Sequence, residues 1–371
     1  MGKTTTAKIL FLLAGLMLVG FITTTINEYA GWLLMGCFVF IALALRSYEL
    51  LNGYSFTVMI FAAVTVAMYY PQHFSYVGDF KLSKLIVPLM QIIMFGMGTG
   101  LSIKDFGRVL QMPKGVVAGV VCHYTIMPLV GFAITKIFTF PPEVAAGIIL
   151  IGSCPNGLAS NVMSYLARAN LALSVTLTAI STLIAPLVTP MLMQLLAGQY
   201  ITIDFWSMVM DIMKIIILPI GAGLAFNYFL HGKFKWLDDI MPFFSMAAIT
   251  LIIVVITAAG RDSLLVVGPL LIVAMLIHNL TGYFLGYWSG RLLRMKETDC
   301  RTIALEVGLQ NGGMASGLAL AMGKLSTVGL APAIFAPIMN ITGSTLALWW
   351  RSRPTEIEET SEQGMKEAQA K

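Results

Sequence analysis

The chain has 371 residues, of which 58% are hydrophobic and only 11% charged, with a mean hydropathy of +0.84 and a formal net charge of +5. A soluble domain carries about 25% charged residues, because even a large core leaves a wetted surface. The deficit excludes a water-soluble globule and makes lipid the solvent for most of the chain, and the excess of basic residues follows membrane topology rather than nucleic acid.

A helix needs about 20 mostly apolar residues to cross the hydrocarbon layer. Segments of that kind fall near 8–26, 30–46, 54–71, 84–103, 113–137, 142–168, 171–198, 204–230, 239–259, 264–293, 298–323 and 328–350, twelve in all. Runs such as LLIVAMLI do not alternate, which excludes the strands of a β-barrel. Lys3 and Lys8 ahead of ILFLLAGLMLVGF resemble the start of a signal peptide, but no small-x-small cleavage site follows. The segment reads as a retained first span, and cleavage would leave the other eleven oriented as before. Four scattered cysteines, Cys37, Cys122, Cys154 and Cys300, imply neither a disulfide framework nor a metal site. The stretch 351–371 is polar and reads as a disordered cytoplasmic tail.

With both termini cytoplasmic, seventeen Lys and Arg fall inside (Lys104, Lys233, Arg291 and Arg353 among them). Five fall outside: Lys81, Lys84, Lys136, Arg261 and Lys324. Lys214, inside a span, completes the 23. The positive-inside rule therefore orients a multi-pass protein, expected in the plasma membrane or bacterial inner membrane.

Two spans contain stretches that helix in lipid does not favour. Ser153-Cys154-Pro155-Asn156-Gly157 interrupts 142–168, and Gln310-Asn311-Gly312-Gly313 interrupts 298–323. Proline removes an amide donor, and glycine costs about 1 kcal/mol in a helix interior. Backbone freed at such depth is tolerated only where it is buried in protein or lines a cavity. Each break lies in the fourth helix of a set of five, counted from the spans near 54 and 204. Five spans invert the second set relative to the first, so 54–198 and 204–350 read as inverted repeats. Paired broken helices in such repeats mark a transporter binding site.

Polar residues gather around the breaks. Glu306 and Gln310 share a helix face at i, i+4, Ser160 and Asn161 open the half-helix after the first break, and Ser174 and Thr178 share a face of the next span. An acid at mid-bilayer costs about 2.5–3.5 kcal/mol on insertion scales, which marks it as functional. A carboxylate with hydroxyl and amide oxygens suits a hard cation such as sodium. Ser and Thr alone would read equally as bonds between helices. Asp211 with Lys214 reads as an interfacial ion pair, and His278 with Asn279 and Thr281 as helix–helix bonding.

CPNGLASNVMSYLARANLALSVTLTAISTLIAPLVTP (154–190) and EVGLQNGG (306–313) resemble the signature blocks of the bile acid:sodium symporter family, as do GMGTGLSIKDF (96–106) and NITGSTLALWW (340–350). The resemblance runs from Tyr54 to Trp350 and leaves residues 1–50 as two extra N-terminal transmembrane helices. It implies an all-α fold of ten helices in a 5+5 inverted repeat with two crossing broken helices. A panel formed by the spans near 54, 84, 204 and 239 would face a core that carries the crossing. It further implies sodium-coupled symport of an organic anion, bile-acid-like or a smaller carboxylate, with sodium ions as the coupling ions and no other cofactor. A first sodium site would fall on Ser160, Asn161, Ser174, Thr178 and Glu306. A second would fall on His123, Glu306, Val307, Leu309 and Gln310, the apolar members through their carbonyls. Substrate contacts would fall on Asn156, Leu158, Asn311, Met339 and Asn340.

This chain departs from the family pattern in three places. His123 stands where the family uses Gln, which leaves one sodium, two, or a proton open as the coupling ion. Leu158 replaces a Thr, and Met339 replaces a His before Asn340, so the pocket is remodelled. A proton-coupled organic acid transporter using Glu306 and His123 is the alternative within transport. A membrane-embedded enzyme would need a nucleophile with a base or a metal cluster, and His73, His123, His231 and His278 are scattered. A sensor role could rest only on the extra N-terminal helices.

Overall fold

The computed structural model describes residues 3–24, 27–48, 51–102, 107–230 and 235–353. The tail from Pro354, the cations Lys104 and Lys233, His231 and the end of GMGTGLSIKDF lie outside the described residues. The chain is an all-α, multi-pass membrane protein: nine described helices are long and apolar enough to span a bilayer, and three shorter ones are apolar too.

In chain order the helices are α1 (Lys3–Thr23), α2 (Asn27–Leu45), α3 (Asn52–Tyr69), α4 (Leu82–Thr99, its first turn 3-10) and α5 (Pro113–Ile137). Next come α6 (Pro142–Ser153), α7 (Ala159–Leu166), α8 (Leu171–Ala197), α9 (Phe205–Leu230) and α10 (Lys235–Ala259). The last four are α11 (Arg261–Leu292), α12 (Glu297–Gly308), α13 (Gly312–Ala321) and α14 (Leu330–Arg351). The expected spans at 142–168 and 298–323 are therefore each two half-helices, α6 with α7 and α12 with α13. The described residues contain one two-stranded hairpin, Tyr76–Val77 with Phe80–Lys81, between α3 and α4.

Local chemistry sets the ends. Pro113 and Pro142 open α5 and α6 at first-turn positions, where a missing amide hydrogen costs nothing. Asn170 caps α8 by accepting from the Leu173 amide (3.1 Å), and Asp204 caps α9 through the Ser207 amide (3.0 Å). α8 and α9 each contain a π-helical turn, Met193–Ala197 and Met213–Ile217. Lys214 lies exposed in the second, so the i, i+3 geometry expected for its pairing with Asp211 falls in a widened turn.

Two groups of helices pack together. α4 packs against α9 and α10, and α10 also against α3; α5, α6, α8, α11, α12 and α14 form the other group around the half-helices. α1 packs on α2 and α2 on α3, leaving most of α1 exposed, as befits a helix in lipid. The polar contacts sort by end. At one end Lys136 meets Gln199, Lys324 pairs with Glu143, and Arg261 donates to Met68 O. At the other, Lys114 donates to Leu293 O and Asn170 to Asp299. His278 and Asn279 serve as helix–helix bonds: His278 Nε2 lies 2.8 Å from Met127 O and Asn279 Nδ2 donates to Gly308 O (2.8 Å).

α4 and α9 meet backbone to backbone. A Cβ on Gly98 would lie 2.2 Å from Ile220 O, and one on Gly223 would lie 2.1 Å from Phe95 O. Close approach through small residues is how membrane helices gain packing without a hydrophobic driving force. We expect Gly98→Val to lower stability in detergent by about 1–3 kcal/mol through overpacking. Gly100→Ala, which meets only ordinary contacts, should melt with the parent; equal melting of all three proteins would contradict this packing.

Candidate functional site: the crossing of two broken helices

Each break has a local cause. Pro155 excludes the preceding residue from helical geometry, so α6 stops at Ser153 and Cys154 is extended (φ −77°, ψ 155°). At the second break Leu309 is extended (φ −101°, ψ 111°), and Asn311 restarts the helix by accepting from the Met314 amide (2.9 Å). The two breaks cross. Asn156 and Gln310 face each other across an antiparallel bridge, and the Asn311 amide donates to the Pro155 carbonyl (2.8 Å). Gly157 permits the approach, since a Cβ there would lie 3.2 Å from Gln310 O.

Beside the crossing lies Glu306, fully buried in the last turn of α12. Ser174 Oγ is 2.5 Å from its Oε1, Thr178 Oγ1 is 3.2 Å from its Oε2, and Asn156 Nδ2 donates to Oε2. The same hydroxyls also face Asn161 Oδ1, at 2.8 Å from Ser174 and 3.2 Å from Thr178. A hydroxyl carries one proton. Two hydroxyls thus face four acceptor contacts with two protons between them. Ser160, 3.4 Å from Thr178 Oγ1, cannot make up the shortfall, because its proton goes to Gly157 O (2.8 Å). Buried oxygens with more lone pairs than hydrogens have the chemistry of a site for a hard, geometrically undemanding cation.

The residues expected around a second ion are arranged differently. His123, buried on α5, sits between the breaks, with Nδ1 3.0 Å from Glu306 O and Nε2 2.9 Å from Cys154 O. Gln310 Nε2 donates to Val307 O (2.7 Å). The Glu306 and Val307 carbonyls are therefore engaged within the protein. Gln310 Oε1, by contrast, is buried with no hydrogen-bond partner.

The relatives of this chain are sodium transporters by name. The profile of the sodium bile acid symporter family matches residues 87–267. A Bacillus subtilis protein named uncharacterized sodium-dependent transporter YocS is 37% identical over 302 residues, 81% of this chain and 92% of its own length. An Arabidopsis thaliana protein named probable sodium/metabolite cotransporter BASS1, chloroplastic, is 35% identical over 271 residues, 73% of this chain and 68% of its own. The chain belongs to the sodium bile acid symporter family. It is a family of transporters and not of enzymes.

In this symporter-family chain the crossing also borders a cavity of about 230 Å³ between the two helix groups. Leu158, Asn311, Met339 and Asn340, where the resemblance implies substrate contacts, line it. Asn156 does not: it is 1% exposed, its amide turned into the Glu306 cluster and its Oδ1 accepting from Ser181. Sequence reasoning missed Ser181, although 174, 178 and 181 form one stripe at helical spacing. It also missed the cavity's methionine wall, Met90, Met94, Met97 and Met246, which comes from α4 and α10. Met90, Met94 and Met97 share one helix face, but that stripe alone does not tell a cavity wall from ordinary packing.

Asn156 is the one amide donor to the Glu306 carboxylate among the described contacts. Replacing it by Leu, of the same branched shape, leaves Oε2 only the Thr178 contact and takes the acceptor from Ser181, at a cost of about 1–3 kcal/mol. Thermal unfolding of Asn156→Leu should drop accordingly, and an unchanged midpoint would show that the amide is dispensable.

Proposed function

We propose that the protein is a sodium-coupled symporter of a small organic anion, working by alternating access. The observation that carries this reading is the oxygen cluster of Glu306, Ser174, Thr178, Asn161 and Ser160, short of hydrogens and set against two crossing helix breaks. Sodium is the cation that family membership favours for such a cluster. The ten helices from α3 onward, counting each broken pair as one, are read as a 5+5 inverted repeat over 54–198 and 204–350. Residues 1–50 add two helices, and 351–371 form a cytoplasmic tail. The grouping of α3, α4, α9 and α10 apart from the helices around the crossing supports a panel and a core that move against each other. The basic asymmetry supports cytoplasmic termini in a plasma or bacterial inner membrane.

The substrate reading rests on the cavity. Among the described residues its lining contains no Lys or Arg; the polar groups are Asn311, Asn340, Gln310 and Ser245 among methionines. A carboxylate there would be met by amides and by the N-terminal ends of α7 and α13, whose dipoles favour an anion. About 230 Å³ favours a smaller carboxylate over a bile acid, and flexible methionines suit apolar parts of varied shape.

One coupling sodium fits better than two, because His123 already bridges the carbonyls of Cys154 and Glu306. The same geometry favours a second reading, proton coupling: only a doubly protonated ring donates to both carbonyls. A thermal-shift screen of organic anions, with sodium or with choline, tests the first reading. Sodium at a hundred times its Kd should stabilise the protein by about 2.7 kcal/mol. That stabilisation should vanish in Glu306→Gln and increase further with the right anion. Equal melting in both salts would sink the sodium claim. Uptake into proteoliposomes under a pH gradient without sodium, lost in His123→Gln, would establish the proton reading in its place.

A further inference from the structure

Away from the crossing, the arginine-rich ends of α11 and α14 enclose a groove of about 600 Å³. Its outer wall is aromatic and open. Phe284, Trp288 and Trp349 are 62%, 50% and 48% exposed, and on a membrane-spanning chain that surface faces acyl chains. Tryptophans of this kind sit at headgroup depth in membrane proteins. The groove's floor is closed by Tyr287 and Trp350, stacked at 5.9 Å.

Among the described residues the charges at its mouth do not balance. Glu297, the groove's acid, is answered from within: Arg301 Nε donates at 2.9 Å, the Tyr287 hydroxyl at 2.8 Å, and Arg291 lies at 3.5 Å. Arg301 is also engaged with the carbonyls of Ala167 and Trp350, which fastens the ends of α7, α12 and α14 together. Arg353 is different. Its guanidinium stacks over the Trp349 ring at 4.0 Å and meets no carboxylate among the described residues. Cation–π stacking holds the charge in place without neutralising it.

We propose that this groove binds an anionic phospholipid, its phosphate on Arg353 and an acyl chain along Trp288 and Phe284. Charge complementarity selects the occupant. A purely apolar chain would leave Arg353 unanswered, and a soluble anion would leave the aromatic wall unused. A zwitterionic lipid brings no net charge to a mouth lined by two arginines, Arg301 and Arg353, and one glutamate. Guanidinium is matched to phosphate by geometry, and basic pockets between membrane helices are sites for anionic headgroups. A lipid held there would bear on the Arg301 contacts that join three helix ends behind the crossing.

Native mass spectrometry of the full chain tests this, using detergent micelles supplied with equal amounts of phosphatidylglycerol and phosphatidylcholine. Phosphatidylglycerol should be retained in preference, and Arg353→Gln should reduce that preference about five-fold. Arg351→Gln, an exposed arginine outside the groove, should leave it unchanged, and Leu346→Trp, which fills the groove, should remove bound lipid altogether. Equal retention of the two lipids, or equal losses in Arg351→Gln and Arg353→Gln, would overturn the site. A spectrum of lipid-free dimers dissociated by Leu346→Trp would also overturn it, assigning the groove to a second copy of the chain.

Discussion

A peptide amide set free in the middle of a bilayer has no water to bond, and leaving it unpaired costs several kcal/mol. Two helices of this protein nevertheless stop at that depth. The Asn311 amide donates to Pro155 O, and Asn156 bridges Gln310, so the break in one span supplies partners for the break in the other. Neither is stable alone, which makes the crossing an obligatory unit. Pro155 forces one chain out of helix, Gly157 lets the other come within reach, and Asn311 caps the helix that resumes. The remaining helices of that group pack to hold these few residues in register.

The crossing concentrates chemistry that would be intolerable elsewhere in the membrane. Glu306 is fully buried, and the acceptor contacts it shares with Asn161 outnumber the hydrogens that Ser174 and Thr178 can offer. Such a cluster is poised for an added positive charge. His123 occupies the opposite side of the same crossing and ties α5 to the C-terminal ends of α6 and α12. One half of the crossing is thus rich in oxygen lone pairs, and the other is spanned by a side chain.

Much of this was legible in sequence because its causes are local. Pro155, Gly157 and the Gly312-Gly313 pair mark the breaks, and α5 occupies 113–137 as its apolar run suggests. Ser174 and Thr178 could be placed on one face by helical period alone. Asn156 could not be read in the same way. It lies in an extended stretch too short to have a period, and its direction is set by the crossing strand. The cavity wall was illegible for a different reason: its methionines sit on α4 and α10, far from the breaks in sequence and joined to them only by packing. The π-helical turns at 193–197 and 213–217 have no compositional signal either.

The placement of Asn156 changes how the ion cluster and the cavity are related. Had it lined the cavity, ion and substrate would touch separate residues and be linked only through the bulk of the helices. Instead its side chain reaches Glu306 while its backbone pairs with Gln310, next to Asn311 in the cavity wall. Two residues further on, Leu158 lines the same cavity. A cation that draws in the oxygens around Glu306 therefore fixes the strand that carries both Leu158 and the partner of Gln310. Under the proposed function, ion binding orders the substrate wall before substrate arrives, and substrate in turn holds the ion's strand in place. That reciprocity is what linkage requires of a symporter, and here it runs through a single antiparallel bridge rather than a long path of side chains.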